Sequence, residues 1–274
     1  MKGIRDRVQV YGVDFSGARD AGERIWIIEA AVEGKVLSIG RCFKARDLAE
    51  SGRDREKCLR ALREFIAARP TALFGLDFPF GLPRKLVGQE SWEEFILAFP
   101  RLYRDPEHFR DTCLKRASNR ELRRLTDIQC KAPLSPYNLR MYKQTFYGIT
   151  EIIHPLVRSK LASVIPMQRP RAGKPRLMEI CPASTLKAEG LYRRYKETSR
   201  KDEGILARAE ILSTLGTRWH LKIQEGEIQE LILEDHDGDA LDSVVAALAV
   251  FRNLGRALIV PEEPEYLVEG YVFV

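Results

Sequence analysis

Two segments far apart in this chain end in the same order of glycine, apolar residue, aspartate and phenylalanine: Gly12-Val13-Asp14-Phe15 and Gly75-Leu76-Asp77-Phe78. Each follows a short apolar run, which predicts a buried β-strand ending on a carboxylate. Buried strands rarely carry a charge unless it is paired or bound to a metal. If the two strands pair in parallel, their aspartates lie side by side at the carboxyl end of the sheet, where α/β proteins bind ligands. Because two such close carboxylates repel each other, a divalent cation is the expected partner.

The remaining pattern predicts an α/β fold with a mixed five-stranded sheet and flanking helices. Strands are expected at residues 8–14, 24–32, 35–43, 72–78 and 177–181, with short additions at 257–260 and 271–274. Amphipathic or apolar spacing predicts helices at 54–68, 203–215 and 239–251, the second ending at Gly216. The last of these helices carries no charge between Asp242 and Arg252, so we expect it to be packed on several sides.

Residues 84–175 have a different character, mostly helical in pattern and rich in lysine and arginine. Helices are expected to begin after Ser91 and to cover 106–116 and 137–164, with no convincing strand. We interpret this stretch as a basic helical lobe inserted into a core formed by 1–83 plus 176–274. The alternative is that the whole chain forms one domain.

Further carboxylates stand at the ends of other elements: Glu179 in the fifth strand, and Asp239 and Asp242 at the start of the last helix. Asp239 and Asp242 are three residues apart and therefore share a helical face. Singly, the aspartates have ordinary explanations as turn or helix-capping residues. Together they suit Mg²⁺ or Mn²⁺, which favour oxygen ligands, and the hydrolysis of phosphodiesters in which water attacks phosphorus.

These segments resemble those of a known group of proteins. The strand order and the aspartates that end the first and fourth strands are similar to the ribonuclease H-like fold. More specifically, the resemblance is to an uncharacterised prokaryotic family of predicted ribonuclease H-like nucleases. It is carried by Val13–Gly17, Gly75–Pro79, Glu179–Ser184, Asp239–Asp242 and Glu269–Tyr271. The resemblance implies metal ligands and catalytic residues at Asp14, Asp77, Glu179 and Asp239 or Asp242.

The charge balance is compatible with a polyanionic partner, nucleic acid first, and equally with a surface that is basic in general. The chain has a formal net charge of +6 and a pI near 9.1. Candidate substrate-binding residues near the predicted site or in the basic stretches are Ser16, Arg120, Arg124, Lys174 and Arg176. An alternative for Arg124 is a structural ion pair with Asp127, three residues further on.

Two other functions stay open. One is a phosphotransferase or ATPase of the actin-like and sugar-kinase group, although only one set of strands is visible and no P-loop is present. The other is a non-catalytic nucleic-acid-binding or regulatory module. We expect a cytoplasmic protein, because no signal peptide or membrane-spanning run is visible and five scattered cysteines do not suggest a disulfide framework.

Overall fold

The computed structural model of the chain describes residues 7–196, 201–223, 226–254 and 263–274. The strands are β1 (Val8–Asp14), β2 (Trp26–Glu33), β3 (Val36–Lys44), β4 (Leu73–Asp77), β5 (Ser163–Ile165), β6 (Arg176–Ile180), β7 (Leu221–Ile223) and β8 (Val272–Phe273). They form one mixed sheet in the order β5-β6-β4-β1-β2-β3-β7, with β8 also paired to β6. Of these described strands, only β2 runs antiparallel to its neighbours.

The helices flank this sheet. They are α1 (Ala21–Arg24), α2 (Arg55–Ala67), α3 (Trp92–Leu102), α4 (Pro106–Arg116), α5 (Leu125–Gln129), α6 (Tyr142–Tyr147), α7 (His154–Arg158), α8 (Pro182–Ala188), α9 (Lys201–Trp219), α10 (Glu227–Glu234), α11 (Asp239–Arg252) and α12 (Tyr266–Glu269). Short 3-10 turns lie at Ala45–Asp47 and Arg84–Leu86, and a π-helical turn at Gly148–Ile153 joins α6 to α7. No helix of the described ranges is long and apolar enough to cross a membrane.

The expected α/β architecture is confirmed, but the strand count is not. Within the described residues the sheet has eight strands instead of five, because the short β5, β7 and β8 extend the five expected ones. Strands of two or three residues leave almost no periodic signal, and their pairing comes from the neighbouring strand. β8 falls within the expected addition at 271–274, whereas the one at 257–260 lies outside the described residues.

Two helix predictions are also corrected. The helix expected over 137–164 is broken into α6, the π-helical turn and α7, and the stretch ends in β5, where no strand was expected. Helix α9 continues through Gly216 to Trp219 instead of ending at the glycine. A glycine inside a helix costs only about 1 kcal/mol relative to alanine, so a helix packed against the rest of the molecule tolerates it.

The sheet carries a hydrophobic core on each face. On one face, Val13 and Leu76 belong to a cluster that includes Phe95 and Phe99 of α3. On the other face, Val10 belongs to a cluster that includes most of α11. Residues 84–175 thus cover one face and α11 the other, and every residue from 240 to 250 is buried, as expected. The division into a core and an inserted lobe stays a prediction.

Glycine is required where α11 crosses β1 and β4. A Cβ atom on Gly12 would lie 2.0 Å from the Ser243 carbonyl oxygen, and one on Gly75 would lie 2.8 Å from that of Ala246. The repeated glycine therefore allows the backbone of α11 to lie directly on the sheet. This close approach also determines where the first turn of α11 stands relative to the strand ends.

Substituting Gly12→Ala is therefore expected to displace α11 and to destabilise the protein. Overpacking of this kind costs about 1–3 kcal/mol, and more where backbone atoms are in the way, as they are here. The measurement is urea unfolding followed by circular dichroism. Gly88→Ala is the matched control, because a Cβ atom there meets nothing within 4 Å. Equal stability of the two variants would contradict the packing role of Gly12.

Candidate metal centre

Asp14 and Asp77 are direct neighbours at the carboxyl ends of parallel strands. In the parallel pairing of β1 with β4, Gly12 lies opposite Gly75 and Asp14 opposite Asp77. Side chains alternate between the faces of a strand, so both aspartates point to the face on which the two glycines contact α11. This register confirms the prediction, made from the repeated sequence pattern, that the two carboxylates lie side by side.

Helix α11 brings two more carboxylates to the same place. Gly238 precedes the helix with a φ of 73°, a left-handed conformation that favours glycine, and Asp239 begins the first turn. Oxygen atoms of Asp14, Asp239 and Asp242 all lie within 4.8 Å of one another. Asp77 lines a surface cleft together with Asp242. We call Asp14, Asp77, Asp239 and Asp242 the aspartate cluster.

Burial and mutual repulsion raise the pKa values of Asp14, Asp77 and Asp239. The pKa of Asp14 is well above its usual range because the side chain is buried and Asp239 is close. Burial and the charge of Asp242 do the same for the pKa of Asp77. Burial raises the pKa of Asp239 to about 6. The negative charges of the carboxylates therefore repel each other, and a bound cation would reduce this repulsion.

A lysine supplies positive charge to the cluster. The Lys196 ammonium lies 2.8 Å from Asp239 Oδ1 and 2.5 Å from Asp242 Oδ2. The buried Tyr195 hydroxyl donates a hydrogen bond of 2.5 Å to Asp242 Oδ1. Burial lowers the pKa of Lys196, but the charges of Asp242, Asp14 and Asp239 outweigh burial and raise it. The Lys196 side chain therefore stays protonated. Its ammonium group competes with a metal ion for the same carboxylate oxygens.

Sequence reasoning missed Tyr195 and Lys196. The only local signal was the basic and aromatic run Tyr192-Arg193-Arg194-Tyr195-Lys196. Nothing in that run indicates a contact with residues 239 and 242, which lie more than forty positions further on. The pairing is a product of the tertiary fold.

Replacing Lys196→Met is expected to tighten divalent-metal binding and to destabilise the metal-free protein. Without the ammonium, a metal ion no longer has to displace a paired charge, while the metal-free carboxylates lose their counter-charge. Calorimetric Mn²⁺ titration should show an affinity several-fold higher, and the metal-free melting temperature should fall by several degrees.

The control variant for Lys196 is Lys187→Met. The Lys187 ammonium donates to a backbone carbonyl, that of Lys131, and to no carboxylate of the cluster. This change also removes one positive charge but should leave metal affinity unaltered. If Lys196→Met bound Mn²⁺ no more tightly than the control did, the ammonium would not compete with the metal.

The structure does not bring Glu179 to the aspartate cluster. Glu179 pairs with Leu76 in the register of β6 with β4, so its side chain points to the face opposite Asp77. There its two carboxylate oxygens accept hydrogen bonds from Arg124, and Oε2 also accepts one from the Phe80 amide. The expected role of Glu179 as a metal ligand does not fit this position, because Arg124 already neutralises it.

Arg124 is likewise not placed to contact substrate. Its side chain is buried, and all five of its N–H donors are used by Asp127, Glu179 and the Glu269 carbonyl. The ion pair with Asp127 that the sequence left open is confirmed, with a closest distance of 2.7 Å. Arg124 thus connects the helical stretch to β6 and to the C-terminal segment.

The other candidate substrate-binding residues are spread out. Arg120 is exposed, and the Ser16 hydroxyl accepts a hydrogen bond from the Ala18 amide. Lys174 and Arg176 lie at the start of β6, where Arg176 pairs with Leu73. The aspartates stand at the other end of these parallel strands, about 13 Å away at 3.3 Å per residue. The structure therefore does not bring Lys174 and Arg176 to the cluster.

A cleft of about 400 Å³ opens over the aspartate cluster. Asp77, Asp242 and Lys196 lie among its lining residues, with Pro133 and Met141 from the helical stretch. Cys181 also lines it, but burial raises the pKa of this thiol to about 12, so it remains protonated and is no nucleophile at neutral pH.

The donor set of the cluster suits a hard divalent cation. It offers carboxylate oxygens alone, which Mg²⁺ and Mn²⁺ prefer to nitrogen or sulfur ligands. The position of Lys196 shows that the site attracts positive charge. The residues present therefore fit a metal, with Asp14, Asp239 and Asp242 as the closest set and Asp77 beside them.

The fold and this site define an α/β protein with an acidic centre at the carboxyl ends of its parallel strands. The chain belongs to the family of proteins of unknown function called DUF429, whose model matches residues 12–266. No curated protein and no solved structure matches the chain significantly.

Proposed function

We propose that the chain has a ribonuclease H-like fold and acts as a metal-dependent nuclease or related phosphodiesterase. The fold assignment is supported by the path β3-β2-β1-β4-β6, in which β2 alone is antiparallel. This path contains the five strands on which the resemblance to the ribonuclease H-like fold is based. The additional short strands extend the two edges of this unit.

The observation that carries the function is the convergence of three carboxylates from different elements. Oxygen atoms of Asp14, Asp239 and Asp242 lie within 4.8 Å of one another, close enough to share a cation. When bound, Mg²⁺ or Mn²⁺ would activate water and stabilise negative charge on a phosphodiester. Asp77 would complete the ligand set from the neighbouring strand, and Glu179 is left out of it.

The chain's own residues supply three further contributions. The Tyr195 hydroxyl orients Asp242 by its hydrogen bond to Oδ1. Lys196 carries a permanent positive charge beside the point where a phosphate would approach. The excess of basic residues favours nucleic acid as substrate over neutral small molecules.

The test is a cleavage assay on labelled single-stranded and duplex DNA and RNA, with Mg²⁺, Mn²⁺ or a chelator. We expect cleavage that requires a divalent metal. Absence of cleavage of every substrate in either metal, from a protein that binds Mn²⁺ and is folded, would exclude nuclease activity on these substrates.

One observation favours a second candidate, a non-catalytic nucleic-acid-binding module. The ion pairs of Lys196 with Asp239 and Asp242 offset part of the negative charge of the site without a metal. Salt-dependent nucleic-acid binding with no cleavage in any metal would support this candidate. The phosphotransferase alternative needs two such sheets, whereas the described residues form one.

A further inference from the structure

The cleft over the aspartate cluster is not lined by polar residues alone. Beside Asp77 and Asp242 its lining includes the apolar side chains of Pro133 and Met141 and the aromatic ring of Tyr192. A phosphate group gains nothing from contact with such side chains. A nucleobase gains from them, because its faces are apolar and stack on aromatic rings.

Tyr192 has the properties of a stacking residue held in place before binding. Its side chain is 52% exposed although it is large and aromatic. The Lys187 ammonium lies 5.0 Å from the ring centroid and donates a 2.8 Å hydrogen bond to the Lys131 carbonyl. This lysine therefore connects the ring to the backbone of Lys131, which restricts the ring and reduces the entropy lost on binding.

Basic side chains lie beside the apolar lining residues. Exposed Arg193 and Arg194 follow Tyr192 directly along the chain and also line the cleft, and Arg193 forms an ion pair with Glu210. The Arg123 guanidinium donates a 3.1 Å hydrogen bond to the carbonyl of the lining residue Pro133, and Lys131 is exposed. Alternation of basic and aromatic side chains along a groove is the arrangement that binds the backbone and the bases of a single strand.

We propose that this cleft binds one nucleotide of a single-stranded nucleic acid, with its base stacked on Tyr192 and its phosphate directed towards the aspartate cluster. Inside a duplex both faces of each base are covered by neighbouring bases, so away from the duplex ends only an unpaired nucleotide can contact the ring in this way. The inference rests on the proposed nuclease function, because it names the substrate class of the same site.

Binding is measured separately from cleavage. We would follow fluorescence anisotropy of labelled oligonucleotides of one sequence, as single-stranded DNA, single-stranded RNA and duplex DNA. The protein is the full chain carrying Asp14→Asn and Asp77→Asn, so that substrates stay intact. Single strands are expected to bind at least about tenfold more tightly than the duplex, since stacking on an aromatic residue accounts for a discrimination of this order.

The key variant is Tyr192→Ala, compared with Tyr192→Phe and with Leu206→Ala. Loss of the ring should weaken single-strand binding by about 5- to 100-fold, while Tyr192→Phe retains it. The dependence of affinity on salt should not change, because no charge is removed. Leu206 is 68% exposed on α9, so Leu206→Ala controls for loss of an exposed apolar side chain.

Each result decides between the alternatives. Duplex binding as tight as single-strand binding, unchanged affinity of Tyr192→Ala, or no binding of any oligonucleotide would overturn the inference. If the wild type binds single strands through Tyr192 but cleaves nothing in Mg²⁺ or Mn²⁺, the nuclease proposal fails and the binding site stands. If the wild type cleaves duplexes and this cleavage does not depend on Tyr192, the nuclease proposal stands and the inference of a single-strand site at Tyr192 fails.

Discussion

The double substitution Asp14→Asn and Asp77→Asn is expected to abolish metal binding and metal-dependent cleavage while it stabilises the metal-free protein. Both side chains face the start of α11 from adjacent strands, and a neutral amide cannot supply the charge that a hard cation needs. Loss of an outer partner of a metal site costs about 10- to 100-fold in affinity, and loss of ligands themselves should exceed this. Calorimetric titration with Mn²⁺ measures the effect directly.

The opposite effect on stability follows from the raised pKa values of the two aspartates. Burial raises the pKa of Asp14 and Asp77 above that of an unfolded chain, so the folded protein binds these protons more tightly. The stabilisation from protonation is complete below the unfolded pKa near 4 and is lost as pH rises through the folded values. At pH 7.5 the substitutions should therefore add about 1–2 kcal/mol, several degrees in melting temperature.

The same carboxylates predict a pH dependence of metal binding. Metal must displace protons from the ligands, and burial raises the pKa of Asp239 to about 6. Mn²⁺ affinity should accordingly rise between roughly pH 5.5 and pH 7.5. Asp111→Asn, in an exposed position of α4, is the control for loss of one negative charge. Retained metal binding in the double variant, with affinity independent of pH, would contradict the assignment of the cluster.

Replacing Arg124→Ala is expected to be the most destabilising single change among the charged residues discussed. The guanidinium is buried and uses every donor, and its loss leaves Asp127 and Glu179 buried without their counter-charge. Removal of one partner of such a buried pair costs about 3–5 kcal/mol. Urea denaturation should show this loss, and the helical stretch should become more susceptible to proteolysis because Arg124 connects it to β6.

Two further variants help to interpret this result: one keeps the charge at position 124 but changes the geometry, and the other is an exposed control. Arg124→Lys keeps the positive charge but has three donors and no planar fork, so an intermediate loss is expected. Arg120→Ala removes a nearby exposed arginine and should change stability by less than about 0.5 kcal/mol. A loss of stability in Arg124→Ala no greater than that in Arg120→Ala would show that the buried network contributes nothing.

Local pattern was sufficient to predict the centre of the fold. The two glycine-apolar-aspartate segments end adjacent parallel strands, and the helix at 239–251, which carries no charge after Asp242, is buried from residue 240 to residue 250. Such features depend on short-range periodicity and on the fact that carboxylates at the ends of parallel strands meet at one edge. Residues within one element, such as Asp239 and Asp242, could therefore be assigned to a common face.

The sequence by itself determined the α/β class, the order of the main strands and the pair of aspartates at their ends. Only the tertiary structure decided that Glu179 points away from this pair and binds Arg124, and that Lys196 contacts Asp239 and Asp242. The physical reason is that a one-residue change in strand register reverses the face of a side chain. Contacts between distant segments likewise depend on how the helices pack over the sheet. Local periodicity in the sequence does not predict this packing.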